Sequence, residues 1–318
     1  DLNSLITETN PTLTIYAKTL IADGIDIVKP PFLYASVPTT IVNVAGQIVP
    51  LIFNDVIGPV MRGPSSSHTA ASWRIATICL EMLQEPLKSA VIDFDKNGAW
   101  APNYREQGTT LGIDGGLLGL EMTDNLMKKT EEVAAERGIL INYKIDSFKT
   151  KHVNTVRLNL EGINGKHVKA LAASLGGGAF EIQELNGFEV SIRGDYYELM
   201  LILEEGMDPY ESIKIALPDL KVINKSVYNG QVLINVKFSE NLSKNTLTML
   251  KEKFSVSEVV LLKPVLPIIA GNEKKVPFTT VDSLIKYSVE HHYDLGKLGL
   301  IYEQSQSGLP ANEVNVIM

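Results

Sequence analysis

The sequence predicts an α+β fold, and three observations support this prediction. Apolar residues recur at helical spacing in several segments, which is typical of helices that bury one side. Other segments alternate apolar and polar residues and end at glycines, which is typical of strands joined by turns. Over residues 195–263 the segments follow the order βαββαβ. The 318 residues, 45% of them hydrophobic, suffice for two or three domains with cores.

The first helix is predicted over residues 65–83. Its apolar residues fall at positions i, i+3, i+4, i+7 and i+8, so they form one stripe along the helix. They are Ile75, Ile78, Cys79, Met82 and Leu83. Pro86 ends the helix, since proline lacks the backbone donor that a further turn requires. The stripe also predicts that Cys79 is a packed core residue.

Strands and one further helix are predicted to complete a first domain over residues 52–194. Strands are predicted at 90–95 and 139–146, with a glycine-rich stretch (97–122) and a helix (124–138) between them. Alternating strand segments separated by glycine-rich turns follow over 154–194. Residues 1–51 contain several prolines and receive no functional interpretation.

The βαββαβ order over residues 195–263 is the ferredoxin-like order, and it predicts a second domain there. Asn229 and Gly230 are expected to form its hairpin turn. A linker rich in Pro, Gly and Lys follows at 264–277, and residues 278–318 are predicted to form two or more helices. Because the chain starts with Asp and stops at the predicted start of a helix, it is expected to be a fragment of a longer protein.

Charge and cysteine content exclude several classes of protein. A net charge of -8 and a pI near 5.3 argue against a nucleic-acid partner, which selects a basic surface. Neither an apolar stretch of membrane-spanning length nor a signal peptide is recognised, so a soluble cytoplasmic protein without a membrane partner is expected. A single cysteine excludes a disulfide within the chain and argues against a zinc or iron–sulfur site built from this chain alone.

Five consecutive polar residues mark the start of the first helix: Ser65, Ser66, Ser67, His68 and Thr69. A helix start needs only one side-chain acceptor as its N-cap. No Glu or Gln stands at the offset of a capping box, so the excess of polar residues is not explained in that way. The residue pattern alone favours the interpretation that one serine caps the helix while the others are solvated.

The alternative interpretation of this helix start is an anion-binding pocket. Free backbone N–H groups and the helix dipole attract a carboxylate or a phosphate, and hydroxyls add donors. Gly63 would let a ligand approach the backbone. The sequence of a P-loop and that of a serine-hydrolase elbow are both absent. The carboxylate of a small hydroxy or amino acid fits such a pocket, and His68 could orient it or transfer a proton.

Other polar residues receive less specific interpretations. Asp93 and Asp95 are expected on one face of a strand, where a solvated sheet edge is the favoured interpretation. His291 and His292 fall in the last helical segment, and a surface position is favoured for both.

At "FNDVIGPVMRGPSSSHTAAS" (53–72) the sequence resembles the iron–sulfur-dependent L-serine dehydratases, specifically their beta chain or beta domain. The agreement continues at "GGLLG" (115–119), "KHVNTVRLNL" (151–160) and "ASLGGGAFEIQELNGFEV" (173–190), and it covers about residues 53–263. In that family an ACT domain of ferredoxin-like fold ends the beta chain. Residues 281–314 resemble the opening helices of the family's alpha chain, which implies a beta–alpha fusion cut off before the catalytic cysteines.

The resemblance implies an α,β-elimination that converts L-serine, or a related β-hydroxy acid, to a 2-oxo acid and ammonia. It implies a [4Fe-4S] cluster as Lewis acid, bound by the alpha-type catalytic domain that this chain lacks, so no metal ligand is expected here. Ser65, Ser66, Ser67 and Thr69 would bind substrate oxygens, and His68 would transfer a proton or orient the substrate.

The resemblance also assigns substrate binding to Gly108, Thr109 and Asn154. His152 and Asn154 match the family's His-Pro-Asn positions, although strand-end hydrogen bonding is the favoured interpretation for both. Dimerisation through the ferredoxin-like domain, and hence a homo-oligomer, is a further expectation from the resemblance.

Two stretches depart from the family pattern. In "REQGTT" (105–110), Gln107 replaces a histidine that is a candidate base, and Thr110 replaces an aspartate. Glutamine cannot accept the proton, so either Glu106 or another group takes it, the substrate is not serine, or activity is lost. Tyr104 and Arg105 would suit a larger or more acidic substrate. In the second domain, "EEGMDPYES" (204–212) replaces the usual regulatory-ligand loop.

Two functional hypotheses follow from these residues. The first is the beta portion of an iron–sulfur-dependent ammonia-lyase that acts on L-serine or a similar small molecule. The second is a catalytically inactive module that binds a small carboxylate, which Gln107 would permit. A hydrolase that uses one of the serines ranks below both, since no acid–base partner stands at a recognisable spacing.

Overall fold

The computed structural model describes residues 61–204, 209–217, 220–254, 256–266 and 276–317. The unassigned segment 1–51, the first part of the 53–72 motif and most of the 264–277 linker lie outside the described residues. Within the described residues the protein has a mixed α+β fold with two sheets, as the sequence predicts.

The first sheet has six strands in the order β2-β1-β3-β4-β5-β6. Its strands are β1 (Leu87–Asp95), β2 (Leu140–Asp146), β3 (Thr155–Gly162), β4 (His167–Gly176), β5 (Ala179–Leu185) and β6 (Phe188–Ile192). β1 pairs with β2 in parallel, and the other neighbours are antiparallel. Apolar residues alternate along β3, so one face of the sheet is buried beneath the helices.

Three helices accompany this sheet: α1 (Ser66–Leu83), α2 (Thr109–Leu117) and α3 (Thr130–Glu136). The apolar stripe of α1 is fully buried, and Cys79 lies within it, as predicted. The helix ends at Gln84, which adopts a left-handed conformation two residues before Pro86. The predicted helix at 124–138 is split, because residues Asn125–Lys129 form a 3-10 helix ahead of α3.

The sequence interpretation missed α2, which lies inside the glycine-rich stretch. Two of its glycines face the backbone of α1: a Cβ at Gly112 would lie 2.3 Å from the Thr69 carbonyl oxygen, and one at Gly116 would lie 2.6 Å from that of Trp73. Glycine disfavours an isolated helix, but here it permits two helices to pack backbone against backbone. Tertiary packing therefore overrides the weak local propensity of this segment.

The predicted solvated edge at Asp93 and Asp95 is wrong. β1 lies between β2 and β3, and the two carboxyl groups are buried. Asp93 accepts hydrogen bonds from Arg157 Nε at 3.1 Å and from Asn159 Nδ2 at 3.3 Å. A buried carboxylate is retained here because a cation and an amide pair with it.

The second sheet has four antiparallel strands in the order β10-β7-β9-β8. Its elements are β7 (Tyr197–Glu204), α4 (Tyr210–Ala216), β8 (Val222–Tyr228), β9 (Gln231–Phe238), α5 (Lys244–Phe254) and β10 (Glu258–Leu262). The hairpin between β8 and β9 turns at Asn229 and Gly230, which both have positive φ, as a two-residue turn of this kind requires.

Both faces of the four-stranded sheet are covered. On one face, Leu199, Leu201 and Leu203 of β7 pack in a cluster with residues of α4 and α5. On the other face, Met200 and Ile202 belong to the same buried cluster as the stripe of α1 and the first sheet. The two sheets therefore share one apolar core, which lies directly beneath α1.

Three helices end the described chain: α6 (Val281–His291), α7 (Leu295–Ser307) and α8 (Ala311–Ile317). They confirm the predicted helical segment. His291 and His292 are exposed, as expected. None of the described helices is both long enough and apolar enough to cross a lipid bilayer.

Candidate functional site

The first turns of α1 and α2 lie side by side, and hydrogen bonds join them. The Ser65 N–H donates to the Gln107 carbonyl at 3.1 Å. One turn further along α1, Thr69 Oγ1 donates to the Gly108 carbonyl at 3.2 Å. Two helix starts thus meet at one place, and their dipoles give that place a positive potential.

The Ser65 side chain does not cap α1. Ser65 is the N-cap residue, but its hydroxyl makes no capping bond to a backbone N–H. It forms a hydrogen bond of 2.7 Å with Nδ1 of His68 instead. Ser66 and Ser67 are already inside the helix, so the interpretation that one serine caps it is wrong.

His68 is half-buried against an aromatic residue. Its ring centroid lies 6.0 Å from that of Trp100, which is itself buried. Burial lowers the pKa of His68 below the usual value of 6.5, because desolvation penalises the charged imidazolium. Burial therefore favours the neutral imidazole, the form that can accept a proton.

Thr69, Gly108 and Thr109 form the junction between the two helices. The Thr69 side chain is fully buried, and its hydroxyl contacts the Ser65 and Gly108 carbonyls. Thr109 is also fully buried, and its Oγ1 accepts a hydrogen bond from Gln107 Nε2 at 2.9 Å. The Thr69 hydroxyl thus joins the starts of the two helices, whereas the Thr109 hydroxyl bonds to a side chain of its own loop.

The exposed side of the helix start carries the remaining serines. Ser66 is exposed and Ser67 is half-buried, and no hydrogen bond of either hydroxyl is found among the described residues. The structure thus brings Ser65, Ser66, Ser67 and His68 to one helix end, with Gly108 and Thr109 directly beside them.

Asn154 directly precedes β3. Its N–H donates to His152 Nδ1 at 3.1 Å, and its carbonyl accepts the Ser174 N–H at 3.0 Å. The preceding carbonyl, of Val153, accepts the Ala99 N–H at 2.8 Å. The strand-end hydrogen bonding that the sequence favours is therefore present.

The sequence interpretation missed a buried cluster beside this site. The Phe94 ring packs on Tyr104, with 4.7 Å between centroids, and lies parallel to Tyr143. The Tyr143 hydroxyl donates to Asp114 of α2, whose carboxyl group is buried. An aspartate in the otherwise apolar run "LGIDGGLLGL" was a signal that could have indicated a buried polar contact.

Comparison with known proteins identifies the family of this chain. No protein-family model matches the chain. The L-serine dehydratase beta chain of Peptoniphilus asaccharolyticus is 30% identical over 197 residues, covering 61% of this chain and 81% of that protein. The probable L-serine dehydratase beta chain of Bacillus subtilis (strain 168) is 28% identical over 213 residues, which cover 64% of this chain and 94% of that protein.

The chain belongs to the L-serine dehydratase beta-chain family. The family that the motif at 53–72 predicts is thereby confirmed. In this beta chain, Gln107 stands where the resemblance places a histidine, and its side chain donates to Thr109 rather than accepting a proton. The alternative base, Glu106, is exposed.

The described residues of this beta chain do not fit an iron–sulfur cluster. Among them, no group of three or more His, Cys, Asp or Glu side chains is arranged to hold a metal ion. Cys79 is buried in the core beneath α1, and burial raises the pKa of its thiol to about 12. A cluster needs thiolates, and this thiol is held in its neutral form.

Proposed function

We propose that the chain is the beta portion of an iron–sulfur-dependent L-serine dehydratase, which converts L-serine to pyruvate and ammonia. Family membership supports the reaction class. The observation that carries the proposal is the 2.7 Å contact between Ser65 Oγ and His68 Nδ1 at the junction of two helix starts. This arrangement combines an acid–base group with donors for an anion.

The role proposed for His68 follows from its contact with Ser65. To accept a proton at Nε2, the neutral ring must carry its hydrogen on Nδ1 and donate it to Ser65 Oγ. The Ser65 hydroxyl hydrogen is then available to a substrate oxygen. In the opposite tautomer Ser65 donates to Nδ1, and the Nε2 N–H can donate a hydrogen bond to a substrate oxygen. Ser65 therefore fixes the ring in either role.

The substrate carboxylate is proposed to bind at the start of α1. The first N–H groups of a helix have no partner within the helix, and the dipole there favours an anion. The hydroxyls of Ser66 and Ser67, which form no hydrogen bond within the described part of the chain, are proposed as further donors. Thr69 and Gly108 join this helix start to that of α2. Thr109 stands next to Gly108 and is proposed as a further substrate-binding residue. Asn154 remains a candidate at the neighbouring strand end.

The remaining components are proposed to lie elsewhere in the enzyme. The [4Fe-4S] cluster would be bound by the cysteines of an alpha-type catalytic domain, since the part of this chain that the structure describes holds no group of three or more possible metal ligands. The order β10-β7-β9-β8 supports a ferredoxin-like domain of the ACT type over residues 195–263. Association of two copies through that domain, and a cytoplasmic location, belong to the same proposal.

The test is turnover by the chain combined with its alpha-type partner, prepared without oxygen. L-Serine, L-threonine and hydroxy-dicarboxylates are supplied, and release of a 2-oxo acid and ammonia is measured. His68→Ala is expected to lower kcat/KM by about 10²–10⁴-fold, the usual contribution of a proton-transfer group. His167→Ala is the control, because His167 is an exposed residue at the start of β4. An unchanged rate in His68→Ala would contradict the role proposed for His68.

The second candidate is a module that binds a small carboxylate without catalysis. It is favoured by Gln107, which cannot take a proton and whose amide is engaged with Thr109. Calorimetric titration with L-serine separates the two functions. Binding that Ser67→Ala weakens, together with no turnover by the reconstituted enzyme, would favour the module.

A further inference from the structure

A carboxyl group in the second half of α2 is buried. Asp114 is 7% exposed. One of its oxygens accepts a hydrogen bond from the Tyr143 hydroxyl, and the other accepts one from Thr130 Oγ1 at 3.3 Å. No ion pair found among the described residues includes Asp114. Burial of such a group is unfavourable for folding, which raises the question of what it does.

The titratable and polar groups that face Asp114 come from three neighbouring segments. They are Tyr143 of β2, Thr130 and Glu131 of α3, and Arg105 of the loop before α2. The Arg105 guanidinium lies over the rings of Tyr104 and Tyr143, with its carbon 5.4 and 5.7 Å from the two centroids. Its positive charge thus acts on Asp114 through space rather than by direct contact.

Tyr143 connects this carboxyl group to the loop that borders the site. Its ring stacks on Tyr104, with 5.8 Å between centroids. The Tyr104 carbonyl accepts the Thr109 N–H at 3.0 Å, and three residues later the Gln107 carbonyl accepts the Ser65 N–H at 3.1 Å. A displacement of Tyr143 would therefore shift Tyr104 and, through the loop, the backbone contacts at the starts of α1 and α2.

We propose that Asp114 and Tyr143 are positioning residues that hold the loop of residues 104–108, and with it the Ser65–His68 pair, in the arrangement that binds substrate. The expected effect on substrate binding rests on the proposed function, whereas the expected effect on the conformation of the loop does not. Neither residue contacts Ser65 or His68 directly, so the effect travels through the Tyr104 ring and the backbone of the loop.

The pair also makes the loop sensitive to pH. Burial raises the pKa of Asp114 from 3.8 to about 6, although the hydrogen bonds from Tyr143 and Thr130 act in the opposite direction. Protonation of Asp114 favours the arrangement seen in the structure, in which the carboxyl is buried, over any arrangement in which it is solvated and has its ordinary pKa. The arrangement seen in the structure is therefore stabilised fully below pH 3.8, and this stabilisation is lost as the pH rises through 6.

Amide hydrogen exchange on the full chain between pH 4.5 and 7.5 tests this proposal. The readout is the protection factor of the Thr109 and Thr110 amides, which removes the intrinsic effect of pH on exchange. Protection in the unmodified protein is expected to fall by about tenfold or more as the pH rises. Asp114→Asn keeps an acceptor but cannot titrate, so its protection is expected to be independent of pH. Tyr143→Phe keeps the ring stack and is expected to lose about fivefold protection at every pH.

Asp93→Asn is the matched control, because Asp93 is an equally buried carboxyl on β1 that pairs with Arg157. It is expected to retain the pH dependence of the unmodified protein. Protection that does not change with pH in the unmodified protein, or an Asp114→Asn variant that retains the change, would overturn the structural proposal.

The catalytic consequence is measured separately with L-serine and the reconstituted enzyme. Tyr143→Phe is expected to raise KM by about fivefold or more with a smaller change in kcat, since it disturbs binding geometry rather than proton transfer. Unchanged kcat and KM would refute this consequence. Because hydrogen exchange needs no turnover, an enzyme that does not act on serine leaves the structural test valid.

Discussion

The Ser65 hydroxyl hydrogen-bonds to the His68 imidazole rather than to a backbone N–H. The start of α1 differs in this respect from a helix start that a serine side chain caps. A capping serine accepts a hydrogen bond from one of the first N–H groups of the helix. Here the N-cap hydroxyl orients His68, and the first N–H groups of α1 remain without a side-chain cap. The contact is made between residues three apart, so local helix geometry alone brings the two side chains together.

Gly108 is the residue whose conformation permits the junction of the two helices. Its φ is +88°, and a Cβ there would lie 2.6 Å from Thr69 Oγ1. Gly108→Ala is expected to lower the free energy of unfolding by about 2–4 kcal/mol, from backbone strain and the clash together. Gly119→Ala is the control, because Gly119 has a φ of +66° but nothing within 4 Å of the added carbon. Gly119→Ala should lower the free energy of unfolding, measured by urea denaturation, by about 1–2 kcal/mol. Equal decreases in the two variants would contradict the clash at Gly108.

At the scale of elements, the regular strands and the long helix follow from their apolar periods. The stripe of α1 and the alternation along β3 determine which sides are buried, and both could be predicted. The helix α2 could not, because its glycines are explained only by the backbone of α1 that they contact. The Ser65–His68 segment was found from its residue types, whereas the Asp114–Tyr143 contact depends on a long-range pairing of α2 with β2.

Glycine has opposite effects in two helices of this protein. Gly112→Ala in α2 places a carbon 2.3 Å from the Thr69 carbonyl oxygen and is expected to lower the free energy of unfolding by at least about 2 kcal/mol. Gly299→Ala in α7 meets nothing within 4 Å and is expected to raise it by about 0.5–1 kcal/mol, since alanine favours a helix. The two melting temperatures should shift in opposite directions, and a stabilised Gly112→Ala would show that α2 does not pack on α1 in this way.

At the scale of the molecule, a buried ion pair lies between the two sheets. Glu198 of β7 is 1% exposed, and one of its oxygens lies 3.3 Å from Lys237 Nζ of β9. Lys237 also donates to the Ser191 carbonyl of β6 at 2.6 Å, so the pair reaches across to the first sheet. Burial raises the pKa of Glu198 to about 7, against the opposing effects of Lys237 and Asn235.

Removal of Lys237 should make stability depend on pH. Without the cation, the pKa of Glu198 rises further above its unfolded value of 4.5, so stability falls as the pH rises through the folded pKa. Lys237→Met is expected to lower the free energy of unfolding by about 1–2 kcal/mol at pH 5.5 and about 3–5 kcal/mol at pH 8.5. Lys88→Met, which breaks an exposed pair with Glu161, should change it by less than about 0.5 kcal/mol at both values. Equal losses at the two pH values in Lys237→Met would contradict the buried pair.

The single core shared by the two sheets has a consequence for how this protein can be divided. Met200, Ile202 and Val260 of the second sheet complete the packing beneath α1, the helix whose first turn carries the serines and the histidine. A polypeptide ending at residue 194 would leave that underside open to water, and the apolar surface would promote aggregation. We therefore expect the two sheets to unfold together, although the sequence pattern changes near residue 195.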